Sequence, residues 1–214
     1  LKSSCCEHCW RNRATDPPAL LTFKKSARVQ PGRFSFGVGL RAERSDMPPV
    51  LAPDNNDLIL RPTKYGDGAA FVALGWSADI HRMFGGSRTT PPDDRRQVAA
   101  GWIKSIRADP FAWEIEHQGR LIGQIRLHSI NETDQRARLS VGILTEDQLG
   151  QGIGRRVIGM ILTHAFGEMS LHRVDLRGLD FNTRAIRCYQ SCGFVEEGRE
   201  RQSACINGEF YDDV

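Results

Sequence analysis

Hydrophobic and polar positions follow two regimes along the chain. From Leu1 to Pro53 the apolar residues keep neither a helical nor a strand period, and Arg, Pro, Gly and Ser recur. This stretch predicts no element and is expected to be a disordered or appended leader, dispensable for folding. From residue 54 the pattern becomes periodic. Asp57 to Arg61 predicts a strand that stops at Pro62, where the backbone donor is lost. Ala69 to Trp76 and Arg95 to Ile106 predict helices, the second with a stripe of Val98, Trp102, Ile103 and Ile106 behind Asp93 and Asp94. Ala112 to Glu116, the turn His117 to Arg120, and Leu121 to Leu127 predict a hairpin.

A polar loop at Asn131 to Gln135 leads into a strand over Ala137 to Leu144. Apolar residues at 153, 157, 158, 161, 162, 165 and 166 then give a broad helical stripe, and Val174 to Leu179 reads as a strand. Strand, crossover helix and strand in that order predict a right-handed parallel βαβ unit. A last helix is expected over Thr183 to Cys192, with Asn182 as N-cap and Gly193 as left-handed C′ residue. Two short strands should follow, near Glu197 to Ile206 and from Phe210 onward, the second so close to Val214 that a truncated strand is expected. The predicted class is α+β: a mixed, mostly antiparallel sheet with flanking helices and one parallel βαβ unit, in a domain over 54–214.

Composition narrows the function. The chain has 214 residues, 40% hydrophobic and 26% charged, and no apolar run long enough to span a bilayer. No membrane association is expected. Residues 1–53 hold nine Lys or Arg against four Asp or Glu, whereas the rest holds 20 against 22. A near-neutral domain argues against a nucleic-acid partner. The six cysteines are too sparse and irregular for a disulfide framework, and no signal-peptide stretch precedes them, so a cytoplasmic protein is expected. Cys5, Cys6, His8 and Cys9 have no second ligand pair elsewhere, so no metal is expected.

The sharpest chemical feature is Leu149-Gly150-Gln151-Gly152-Ile153-Gly154-Arg155, a glycine-rich turn between a strand and a long helix. Such turns bring backbone N–H groups against phosphate oxygens, beside the partial positive charge of the helix start. The Lys and hydroxyl of a nucleoside-triphosphate loop are missing. Counted from Gly150, a dinucleotide fingerprint would need its third glycine where Arg155 stands. The pyrophosphate of coenzyme A needs only the nest of donors.

The turn resembles the pyrophosphate loop of the GCN5-related N-acetyltransferases, in particular the branch that acetylates ribosomal-protein N-termini. His172-Arg173-Val174-Asp175-Leu176, then Asn182-Thr183-Arg184-Ala185-Ile186-Arg187-Cys188-Tyr189 and Gly193-Phe194, is similar to that family's second signature. The resemblance runs from about Asp57 to Val214. It implies that Gly142, Ile143 and Leu144 offer strand-edge groups to the pantetheine and thioester, and that Leu149 to Arg155 hold the pyrophosphate. Asn182 would contact the pantetheine arm, and Tyr189 would protonate the departing thiolate. A Tyr, with a pKa of about 10, suits a thiolate leaving group.

Two positions depart from the family. Leu149 replaces a frequent Arg or Gln, and Arg138 stands where many relatives carry an acid. No general base is identified, with His128, Glu114 and Glu116 as strand candidates. Trp76 and Trp102 fall on helices that would flank the acceptor site, and Cys188 and Cys192 read as packing residues. The expected activity is transfer of acetyl from acetyl-CoA, without metal, to a primary amine, foremost a protein N-terminus, by a monomer or homodimer. A polyamine or antibiotic amine as acceptor, a non-catalytic CoA-binding module and a nucleotide-cofactor oxidoreductase stand as alternatives.

Overall fold

Five strands form the main sheet in the order β1 (Leu58–Arg61), β2 (Ala112–His117), β3 (Arg120–Asn131), β4 (Arg136–Ile143) and β5 (Arg173–Asp175). β1 to β4 pair antiparallel and β4 pairs β5 in parallel. The structure, a computed structural model, describes residues 48–52 and 57–214. The cysteine-rich stretch Cys5 to Cys9 lies outside them. No helix among the described residues is long and apolar enough to cross a membrane.

The helices divide between the two faces as the stripes dictate. On one face Leu58, Leu60, Trp113, Ile115, Ile125 and Leu127 meet Val157, Ile158, Ile161 and Ala165 of α4 (Ile153–Gly167) in the main core. On the other, Ala112 and Leu121 pack under Trp102, Ile103 and Ile106 of α3 (Arg95–Arg107), and Phe71 of α1 (Asp67–Ala73) stacks on Trp102 at 4.5 Å. Asp94 caps α3 by accepting from Gln97 N at 2.9 Å. α1 ends earlier than its apolar residues suggest because Gly75 adopts φ +84°. A further helix, α2 (Ala78–Met83), starts at Ser77, whose hydroxyl accepts from Ile80 N at 3.1 Å. Six residues are too few to show a stripe, so the sequence pattern gives no sign of it.

The largest departure from expectation is β5. The run Val174 to Leu179 reads as one strand, but only Arg173 to Asp175 pair with β4. Gly178 and Val214 instead exchange backbone hydrogen bonds of 2.9 and 2.8 Å, and Asp180 N donates to Asp212 O at 3.0 Å. The chain has changed partner, from β4 to the hairpin of β6 (Glu200–Ile206) and β7 (Glu209–Asp213). The sheet splits there into a wedge. α5 (Thr183–Ser191) closes its far side, capped by Asn182 Oδ1 accepting from Ala185 N at 3.2 Å and ended by Gly193 at φ +91°.

The described end of the expected leader is docked on the domain. Pro48 is buried, Pro49 O accepts from Trp113 Nε1 at 2.8 Å, and Leu51 exchanges two 2.8 Å backbone bonds with Leu60. Residues 48–52 therefore extend the sheet beyond the boundary drawn at 53/54. Losing them would strand the indole N–H of a fully buried tryptophan, at a cost of about 1–3 kcal/mol. A chain starting at residue 54 should melt at least ~2 °C below one starting at residue 48, as calorimetry of the two would show.

Candidate active site

The wedge between β4 and β5 opens into a cavity of about 730 Å³. Its floor is the glycine turn. A short 3-10 turn, Glu146–Gln148, ends with Leu149 N donating to Glu146 O at 3.0 Å. Arg120 Nη1 to Asp147 Oδ2 at 2.6 Å and His117 Nδ1 to Gln148 Oε1 at 2.7 Å anchor the loop. Gly150 and Gly152 both take φ +76°, a left-handed conformation that a side chain would strain, and no heavy atom lies within 4 Å of where a Cβ would stand on either. Arg156 N, bonded to Gly152 O at 3.2 Å, is the first helical donor of α4. The N–H groups of Ile153, Gly154 and Arg155 are therefore left for a ligand at the positive end of the helix. Beneath the turn, Cys188 Sγ would lie 3.2 Å from a Cβ on Gly154, which accounts for that glycine and for a packing role of the cysteine.

Of the residues marked out in the sequence, Gly142, Ile143, Leu149, Gly150, Gly152, Ile153, Gly154, Arg155, Asn182 and Tyr189 line this cavity. Two are directed elsewhere. Leu144 N donates to Ile122 O at 2.8 Å across the sheet, and the Gln151 side chain turns back onto the Asp147 carbonyl. Asn182 spends its side-chain oxygen on the cap of α5. Tyr189 stands edge-on to Phe194, centroids 6.3 Å apart, and Gly178 passes so close that a Cβ there would be 3.4 Å from the Tyr189 ring. Burial raises the Tyr189 pKa above its ordinary value, with a smaller push from Cys188 and Cys192, so its hydroxyl keeps its proton at neutral pH.

The other half of the cavity lies on the α1–α3 face of the sheet. Ile80, Met83 and Phe84 roof it, and Arg126, His128 and Arg138 project from β3 and β4. Gly142 permits the roof, because a Cβ would come within 2.4 Å of the Phe84 ring. The sequence reading missed this roof and also missed Arg126, although the alternation of Gln124, Arg126 and His128 along β3 puts them on one face. Burial, reinforced by Arg126 and Arg138, lowers the His128 pKa to about 4 and keeps the ring neutral.

A family model described as an acetyltransferase (GNAT) domain matches residues 57–195. The chain belongs to the GNAT acetyltransferase family. The spermidine N(1)-acetyltransferase of Vibrio cholerae is 36% identical over 158 residues, covering 74% of this chain and 90% of that protein. YdaF of Bacillus subtilis, a candidate ribosomal N-acetyltransferase, is 31% identical and covers 72% and 78%. The solved Vibrio cholerae spermidine N-acetyltransferase in complex with CoA and spermine aligns at TM-score 0.61 and 26% identity, over 73% of this chain and 92% of that one. The protein is thus an acetyl-CoA-dependent N-acetyltransferase of α+β fold, with acetyl-CoA as co-substrate.

The structure also accounts for three other positions. Arg138 bonds Asp175 Oδ2 at 2.9 Å and so joins the last register pair of β4 and β5. Glu114 and Glu116, the other base candidates, are engaged away from the cavity. Glu116 pairs with Arg61 at 2.6 Å. Glu114 is fully buried, accepts from Thr63 Oγ1 at 2.6 Å, and leaves its second oxygen without a partner. The tryptophans are likewise structural. Trp76 lies outside α1 with its ring 4.7 Å from His81, and Trp102 is a core residue donating to Gln124 Oε1 at 2.5 Å.

Burial, with Asp67 nearby, raises the Glu114 pKa from 4.5 to about 7. The unfolded chain therefore releases this proton first, and stability falls as pH rises from about 4.5 through about 7. Glu114→Gln keeps the Thr63 bond and removes the titration. Urea unfolding should find the variant more stable than the wild type at pH 8 by roughly 1–3 kcal/mol, with the difference shrinking towards pH 4.5.

Proposed function

We propose that this acetyltransferase transfers the acetyl group to the α-amine of a peptide or protein N-terminus. The observation that carries the reading is the potential of the acceptor half. Arg126 lines it with its Nε buried and without a hydrogen-bond partner, beside a His128 that burial keeps neutral, a setting that disfavours an ammonium and tolerates a free amine. An α-amine, with a pKa of about 7.7–8.0, loses its proton far more readily than an alkyl amine near 10.4. Such an acceptor needs no strong side-chain base. The 36% identity with a spermidine N(1)-acetyltransferase favours a polyamine as the second reading. Acetylation assays with N-terminal peptides and spermidine side by side separate the two.

In this reading the turn from Leu149 to Arg155 holds the pyrophosphate through the N–H groups at the start of α4. Gly142 and Ile143 offer backbone groups to the pantetheine arm, with Leu144 withdrawn by its bond to Ile122. Asn182 borders the arm. The amine nitrogen bonds to the thioester carbonyl carbon, the carbon–sulfur bond breaks, and Tyr189 gives its proton to the sulfur. The proton shed by the amine returns to solvent, from which Tyr189 is reprotonated.

Gly152→Val should lower acetyl-CoA affinity at least tenfold, about 1.4 kcal/mol, in a folded protein, since the φ of +76° is penalised and the donors turn away. Calorimetric titration gives the result directly. Tyr189→Phe should lower kcat by about 10²-fold while acetyl-CoA affinity stays within about threefold. Unchanged turnover would remove Tyr189 from the reaction.

A further inference from the structure

The charges around the acceptor half are nearly all accounted for. Arg138 and Arg136 share Asp175, at 2.9 and 3.6 Å. Arg177 faces Glu200 at 3.3 Å, and Asp213 accepts from Ser203 Oγ at 3.1 Å. Arg126 differs from these. It lines the cavity from the middle of β3, its Nε is buried without a hydrogen-bond partner, and among the described residues no carboxylate forms an ion pair with it. A guanidinium held at a cavity wall without a counterion is a strong receptor for a carboxylate, which it can grip with two parallel hydrogen bonds.

Register fixes where that carboxylate would lie. Arg126 pairs with Ser140 and Gln124 with Gly142, so Arg126 sits one same-face step along the sheet from the rung where Gly142 meets the roof. Two residues of strand span about 7 Å. Consecutive Cα atoms of a peptide lie about 3.8 Å apart, and an acidic side chain on the second residue covers the remaining distance. We infer that Arg126 selects acceptors carrying a carboxylate beside the reactive amine, namely peptides with Asp or Glu at the second position.

The inference rests on the N-terminal acceptor reading and narrows it. The lowered His128 pKa is in keeping with it, since Arg126 and Arg138 both contribute and an acceptor carboxylate would offset that field.

The test uses the full chain and four acceptors: pentapeptide amides beginning Ser-Glu, Ser-Gln and Ser-Lys, otherwise identical, and spermidine. The wild type should prefer Ser-Glu over Ser-Gln by about tenfold in kcat/KM, through KM, with Ser-Lys lower still. In Arg126→Gln the ratio of Ser-Glu to Ser-Gln should collapse towards one, and Arg126→Lys should restore part of it. Acetyl-CoA affinity of Arg126→Gln, measured calorimetrically, should stay within about threefold, showing a folded protein with an intact cofactor half. Peptide turnover with equal rates for Ser-Glu and Ser-Gln, or a preference that survives Arg126→Gln, would overturn this inference alone. Turnover of spermidine without any peptide would overturn the N-terminal reading together with it.

Discussion

Asp175 is 1% exposed, and Arg138 and Arg136 both reach it from β4. The pair of Arg138 with Asp175 is also the last at which β4 and β5 run side by side. Before it the two strands are one sheet; beyond it β5 leaves for β7. A buried carboxylate flanked by two arginines locks the apex of the wedge, and removing either kind of partner would leave an uncompensated buried charge. The cofactor turn, the roof over Gly142 and the tyrosine of α5 all take their places from the opening that begins there. This gives Arg138 a structural role.

Much of this plan could be read from the residues, for reasons that differ along the chain. The turn at Gly150 and Gly152 was legible because positive φ at both positions leaves few residue choices, and because the stripe from Ile153 to Phe166 announces the helix that follows. Asn182 and Gly193 were legible as caps because side-chain and backbone chemistry at helix ends is local. The change of partner after Asp175 was not, since an apolar run is the same whichever strand it pairs with. The short α2 escaped for want of length, and with it the roof of the acceptor half. Glu114 alternates like a solvent-facing residue, yet Thr63 and the Arg61–Asp67 pair cover it. Burial by distant segments leaves no trace in a strand's own pattern. The link of residues 48–52 to Leu60 and Trp113 was hidden for a related reason: a single bridge and one indole bond need no periodicity.

The two halves of the cavity handle charge by different means. At the glycine turn, positive potential comes from unbonded N–H groups and a helix dipole, with Arg155 on the turn also lining the cavity. Backbone donors cannot be neutralised by a neighbouring carboxylate, so this half suits a multiply charged, unvarying ligand such as a pyrophosphate. In the acceptor half the charges are side chains, and most are cancelled in pairs. Specificity there depends on the residue left over, because paired ions offer a substrate little net field.

The position of Tyr189 follows from the same geometry. α5 is tied to the β5–β7 side of the wedge: Gly178 carries the backbone bonds to Val214 and its bare Cα lies under the Tyr189 ring. β4, on the opposite side, carries Gly142 and Ile143. A thioester lying between the two sides would have its carbonyl against one wall and its sulfur against the other. A proton donor for the sulfur therefore has to come from the wall that diverges, and its distance from β4 is set by how far β5 swings away. Gly178 has two tasks at that point, accepting the strand switch and admitting the aromatic ring. A Cβ there would stand 3.4 Å from the ring, in contact with it, so the strand switch and the placing of the tyrosine meet at one residue.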